Sequence, residues 1–217
     1  MKVYAFLPRL HLFLPTIYIY IKQNEWVHAQ KLAVAVDPRP HNGHFGVPIQ
    51  MLSDKLQDYF NVKDVVPTRY VLMNRISAQR NIENFDEIVK AVKEKIHEVE
   101  FEVLVDKLGT IAQYAKIFPY VKCIFTPAGS NCIKTVLMKP GTVIIVVGTE
   151  RFDYSVVLFI LSLGIKQVYY TNPVPHFGSF SLDVEHSIDA IKAGLYCLNN
   201  GRWPEPVENV SFIDYMK

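Results

Sequence analysis

From Arg69 onward, short apolar runs of strand length alternate with longer stretches of helical spacing, and this alternation restricts the fold more than any other feature of the chain. Tyr70–Met73, Phe101–Val105, Val121–Phe125, Thr142–Val147 and Gln167–Tyr170 are near-continuous apolar runs, the pattern of strands buried on both faces. Between them, apolar residues recur three and four positions apart, as in Phe85, Ile88, Val89, Val92 and Ile96. Asn84 with Glu87 three residues on predicts a capping box. Thr110 predicts the cap of a helix carrying Ile111, Tyr114, Ala115 and Phe118, with Gln113 at its third position and Pro119 at its end. Further helices are expected at about Asn131–Leu137, at Tyr154–Leu163 with Gly164 as stop, and from Asp183 or Ser187 to near Leu198. Strands and helices in this order require right-handed crossovers, which implies the α/β class and a mostly parallel sheet with helices on both faces.

The part before Pro67 is less regular. Val3–Ile21 is strongly apolar, but Pro8, Arg9, His11 and Pro15 interrupt it. A spanning helix needs about 20 mostly apolar residues, and a central charge costs roughly 2.5–3.5 kcal/mol. Thr16–Ile21 therefore reads as a buried strand. A strand at Leu32–Val36 is expected to enter a proline- and glycine-rich loop, followed by a helix from Val47 to about Phe60 with Pro48 in its first turn. Leu52, Leu56, Tyr59 and Phe60 would share its apolar face. The organisation this suggests is a partial N-terminal segment, residues 1–67, packing on a main domain, 68–217.

Composition narrows the function. Lys and Arg number 23 against 21 Asp and Glu, and this balance argues against a nucleic-acid partner. Cys123, Cys132 and Cys197 form neither a disulfide framework nor a CxxC metal pair, and read as small buried hydrophobes. Asn209-Val210-Ser211 would accept a glycan only in the secretory pathway.

In a parallel sheet, ligands bind beyond the carboxyl ends of the strands. That selects the loops after Met73, Phe125 and Val147. The first carries Arg75 and Arg80 just before a helix, a pairing suited to a diphosphate, although two such arginines are also what a solvated surface presents. The second is Thr126-Pro127-Ala128-Gly129-Ser130-Asn131, where Gly129 allows close backbone approach and a helix offers N–H groups; a generic strand-to-helix turn looks similar. His41, His44 and His176 lie in loops, as general bases or as plain polar residues. Walker A, GxGxxG, HExxH, GxSxG and DxD patterns are all missing.

Arg75-xxxx-Arg80-x-Ile82-x-Asn84-Phe85-Asp86-Glu87 resembles the motif that opens the C-terminal domain of glycosyltransferase family 61. Thr110-Ile-Ala-Gln113, Cys123–Phe125, Ala128-Gly129-Ser130-Asn131, Met138-Lys-Pro140-Gly141-Thr142 and Phe180-Ser-Leu-Asp183-Val184 continue the likeness over roughly residues 68–198. Ala128 stands where the family loop begins with His, Asn131 where it has its second Gly, Lys134 at its later Asn, and Val146 at the usual Glu. The resemblance implies a Rossmann-like domain, similar to the C-terminal lobe of a two-lobed glycosyltransferase. It implies inverting, metal-independent transfer of a sugar from a nucleoside diphosphate sugar to a protein or glycan acceptor, with no cofactor, in the endoplasmic reticulum or Golgi lumen. Arg75, Arg80, Asn84, Gly129, Ser130, Asn131 and Lys134 would bind the nucleotide sugar, and Asp37, His41 or His44 would supply the base. The alternative is a catalytically inactive relative that binds a nucleotide, a glycan or a partner protein.

Overall fold

The five apolar runs become five strands: β1 (Arg69–Arg75), β2 (Phe101–Asp106), β3 (Val121–Pro127), β4 (Val143–Val147) and β5 (Lys166–Tyr170). The structure is a computed structural model in which residues 45–106 and 109–214 are described. All five strands are parallel, in the order β2-β1-β3-β4-β5. Leu72 lies beside Phe125, Phe125 beside Ile145 and Ile145 beside Val168, so one buried row crosses the sheet. The fold is thus α/β and Rossmann-like, with one departure from an all-parallel domain. A sixth strand, β6 (Val210–Ile213), joins β5 antiparallel at the edge. It escapes sequence reading because it is only four residues long and only partly covered, Val210 and Phe212 packing toward one core and Ile213 toward the other. Trp203 stacks on Phe212 with ring centroids 4.9 Å apart.

Helices cover both faces. α2 (Phe85–Lys95) and α5 (Val184–Asn200) pack with Leu72, Phe125, Ile145 and Val168 in one core. α1 (Val47–Tyr59), α4 (Tyr154–Ser162) and the 3-10 helix Ser130–Leu137 enclose Met73, Ile124, Ile144 and Val146 in the other. α3 (Ile111–Tyr114) and the 3-10 turn Phe118–Tyr120 take the place of the single helix expected there. The Thr110–Gln113 capping box is present. Asp183 caps α5, which runs on to Asn200 before Gly201 ends it.

Three local expectations are corrected. The Asn84 side chain makes no cap; its amide and carbonyl bridge Leu182 O and N at 2.8 and 2.9 Å, tying the start of α2 to the start of α5. The segment after β3 is a 3-10 helix rather than an α-helix. Ile133, Thr135 and Val136 are β-branched, and the Thr135 hydroxyl donates to Cys132 O at 2.6 Å, which suits the tighter turn. α1 buries Ile49, Ser53 and Gln57 instead of the Leu52 and Tyr59 side, both of which are exposed. The reason is polar: Ser53 Oγ donates to Val136 O at 2.7 Å, and Gln57 Oε1 accepts from Lys139 Nζ at 2.6 Å. The strands expected at Thr16–Ile21 and Leu32–Val36 lie outside the described residues.

Lys139 is the unexpected fastener of this layer. Its buried ammonium also donates to Val62 O at 2.5 Å and Lys63 O at 2.6 Å, fixing the chain between α1 and β1. Replacing it with Ala strands two buried acceptors, Gln57 Oε1 and Val62 O, each costing about 1–3 kcal/mol if left unpaired in the interior. Lys139→Ala should therefore lose about 2 kcal/mol or more in urea denaturation, and an unchanged midpoint would contradict this role. All three cysteines are free and buried. Burial raises the Cys123 and Cys197 thiols above the ordinary cysteine value and pushes Cys132 up to about 12. At pH 8, an aromatic disulfide reagent should therefore label none of them until denaturant is added.

Candidate functional site

The chain moves from β1 outward to β2, then returns to place β3 on the other side of β1. This reversal opens a crevice beyond the carboxyl ends of β1 and β3, the topological switch point of a doubly wound sheet. Arg75 is the last residue of β1, Arg80 lies in the loop that follows, and Gly129 lies just past β3. Local sequence placed these residues at strand ends. The crossover places them against one another.

Gly129 is the pivot. Its φ of 140° is closed to other residues without strain, and it has no Cβ. A Cβ there would overlap Arg75 Nη1 and lie 3.0 Å from Arg80 Nη2, so both guanidinium groups rest on the glycine. Arg75 donates one long bond to Ala128 O at 3.4 Å, and no carboxylate lies within 4 Å of it among the described residues. Burial, followed by the like charge of Arg80, lowers its pKa below the ordinary arginine value, without neutralising it. Its Nε and the nearby Asn131 Oδ1 are both buried without a hydrogen-bond partner among the described residues. Two adjacent cations with an unspent donor, beside the first turn of the 3-10 helix, have the chemistry that suits a multiply charged anion.

Arg80 is held more firmly. It adopts a left-handed backbone (φ 58°), its N–H donates to Gly178 O at 2.6 Å, and Gly178 N donates to Gln79 Oε1 at 3.2 Å. The Ile82–Phe180 bridge continues this contact, so the loop after β5 reaches back across the sheet edge to the loop after β1. Arg80 Nη1 is 3.8 Å from Asp153 Oδ2, while Asp153 Oδ1 caps α4 at Val156 N and accepts from Ser155 Oγ. Next to them, Thr149 Oγ1 and His176 Nδ1 are 3.0 Å apart. Partial burial, then the charges of Arg80 and Arg151, lowers the His176 pKa below its ordinary value, favouring the neutral ring. Gly148 makes room for the Tyr169 ring, whose Oη accepts from Asp153 N at 3.3 Å.

Two clefts flank Ser130 and Ile133. One, of about 390 Å³, is mainly apolar and includes Leu52, Phe159 and Val156 beside Arg80, Gly129 and Asp153. The other, of about 540 Å³, includes Arg75, Asp106, Tyr114, Asn131 and Lys134. Arg75, Arg80, Gly129, Ser130, Asn131 and Lys134 thus share one region. Asn131 Nδ2 donates to Thr126 Oγ1 at 2.5 Å, and the Lys134 ammonium pairs with Asp106 and sits 4.9 Å from the Tyr114 ring centre. Asn84 is engaged with Leu182, and Asp37, His41 and His44 lie outside the described residues. No sequence motif marks Asp106, Thr149 or Asp153. Only their places at a strand end or just before a helix hint at them. Among the described residues no cluster of metal-ligating side chains occurs, and no helix is long and apolar enough to cross a membrane.

Residues 3–145 match the family model described as Glycosyltransferase 61, about two thirds of the chain. No curated protein matches it. Among solved structures, one similar chain is GanP, a glucose-galactose binding protein from Geobacillus stearothermophilus, at 13% identity and a TM-score of 0.31. The alignment covers 76% of this chain and 58% of that one, so this chain spans less than two thirds of GanP. A likeness this distant bears on neither fold nor function.

The geometry makes Gly129 critical. Gly129→Ala combines backbone strain of about 1–3 kcal/mol with displacement of both arginines. The variant should unfold at lower urea, and Arg75 and Arg80 should react faster with phenylglyoxal than in the wild type, whereas wild-type behaviour in both assays would contradict the packing described.

Proposed function

The chain belongs to glycosyltransferase family 61, and we propose that it transfers a sugar from a nucleoside diphosphate sugar to a protein or glycan acceptor, by an inverting, metal-independent reaction. The observation that carries this reading is the convergence of Arg75 and Arg80 on Gly129 at the switch point. Departure of the sugar leaves negative charge on the diphosphate. Two fixed guanidinium groups and the N–H groups of Ser130 and Asn131 stabilise that charge without a metal ion. Because their positions are set by packing, they require little rearrangement as the charge develops.

Inversion needs a base on the acceptor side to take the proton of the attacking hydroxyl. Asp37, His41 and His44 are the proposed sources. His176, kept neutral beside Thr149, is a further group of suitable chemistry at the same sheet edge. The family's secretory-pathway setting is part of the same proposal, with the acceptor met in the lumen.

A second reading, a binding protein without transfer activity, is favoured by Ala128 and Val146. Both are fully enclosed aliphatic side chains at positions where the family resemblance expects His and Glu. Titration calorimetry with UDP sugars and a radiolabelled donor assay separate the two readings. The first predicts both binding and labelled product; the second predicts no labelled product, and binds a UDP sugar only if its ligand is a nucleotide rather than a glycan or a partner protein. Losing a charge-assisted phosphate contact removes about 1.5–3 kcal/mol, so Arg75→Ala should weaken nucleotide affinity at least tenfold. Unchanged affinity in that variant would remove the assigned role.

A further inference from the structure

We propose that the carboxylate of Asp106 receives the ribose hydroxyls of a nucleotide whose diphosphate lies on Arg75, which makes the larger cleft the nucleoside subsite. The inference rests on the reading above, that a nucleoside diphosphate binds at the switch point, and adds which way the nucleotide lies and what recognises its sugar.

Asp106 is the last residue of β2 and stands in register with Arg75, the last residue of β1. Adjacent strands are about 4.8 Å apart, so a phosphate on Arg75 leaves the ribose it esterifies next to Asp106. A carboxylate at this strand end accepts from both hydroxyls of a vicinal diol, the same logic by which doubly wound folds hold ribose at the end of the neighbouring strand. Asp106 also has the capacity. Its Oδ1 accepts from Lys134, and its Oδ2 carries no hydrogen bond among the described residues. The Lys134 ammonium, on a side chain only 10% exposed, pairs with the carboxylate and fixes it in place. Lys134 is thereby the clamp on the ribose acceptor rather than a phosphate ligand.

The walls suit a planar base. Ile76, Ile111 and Ile133 line the cleft and are 66%, 42% and 52% exposed, an unusual collection of aliphatic surface around a charged pair. The volume of about 540 Å³ lies within the usual 300–1,000 Å³ of small-molecule sites. The opposite cleft offers no equivalent group, because the Asp153 carboxylate is already engaged with Arg80, Ser155 and Val156. That cleft is left for the transferred sugar and its acceptor.

The test compares UDP, GDP, CDP and ADP with their 2′,3′-dideoxy counterparts by calorimetry on the full chain. The nucleotide that binds wild type should lose at least tenfold in affinity when both hydroxyls are removed. Asp106→Ala should bind the ribonucleotide as weakly as the dideoxy form and leave the dideoxy affinity nearly unchanged. Equal wild-type affinities for the pair, with binding still sensitive to Arg75→Ala, would overturn this inference and leave the broader reading intact. Discrimination that persists in Asp106→Ala would likewise remove Asp106 from the role. Failure of all four nucleotides to bind would overturn the broader reading and this inference with it. Should Asp106→Ala not fold, Asp106→Asn serves with the same comparison, and the wild-type ligand pair alone still decides whether the hydroxyls are read.

Discussion

Everything at the candidate site depends on β1 lying inside a parallel sheet with its two neighbours supplied from opposite directions. Parallel strands send all their carboxyl ends to one edge, and the reversal between β1 and β3 parts the connecting segments there. The helix after β1 packs on one face, while the 3-10 helix after β3 packs on the other. The space between them is where Arg75, Arg80 and Gly129 meet. An antiparallel arrangement of the same strands would divide these residues between two edges.

Packing then turns proximity into a fixed constellation. Two guanidinium groups repel each other, and partial burial of Arg75 adds a desolvation cost. The arrangement persists because the surrounding structure over-determines it. The Arg80 backbone is pinned to Gly178, its side chain faces Asp153, and Gly129 removes the one carbon that would separate the cations. Such local strain is sustained by stability elsewhere, here the two apolar cores and the Lys139 fastener. The same design holds Asp106, whose carboxylate is paired with the Lys134 ammonium at the end of β2.

Much of the fold was legible in the residues themselves. Near-continuous apolar strands such as Thr142–Val147 have few other uses, and the spacing from Phe85 to Ile96 fits only an amphipathic helix. Where local reading failed, a distant partner had overridden a local preference. Asn84 is a good capping residue, yet Leu182 offers it two hydrogen bonds at once. The Leu52 side of α1 looked like its core face, but Ser53 and Gln57 were needed inward to satisfy Val136 O and Lys139 Nζ. β6 is half exposed and only four residues long, so its pattern carried little signal.

The site was legible to a similar degree. Sequence alone determined that arginines and a glycine would stand at strand ends, because strand and helix boundaries are set by neighbours in the chain. It also determined the family likeness, which rests on motif spacing. Only the tertiary structure decided that Arg75 and Arg80 share Gly129, that Lys134 belongs to Asp106, and that Asp153 faces Arg80. These pairings join residues from different crossovers, and no periodicity records which crossover lies beside which. Strand order is fixed by burying two cores at once, a property of the whole sheet rather than of any segment of it.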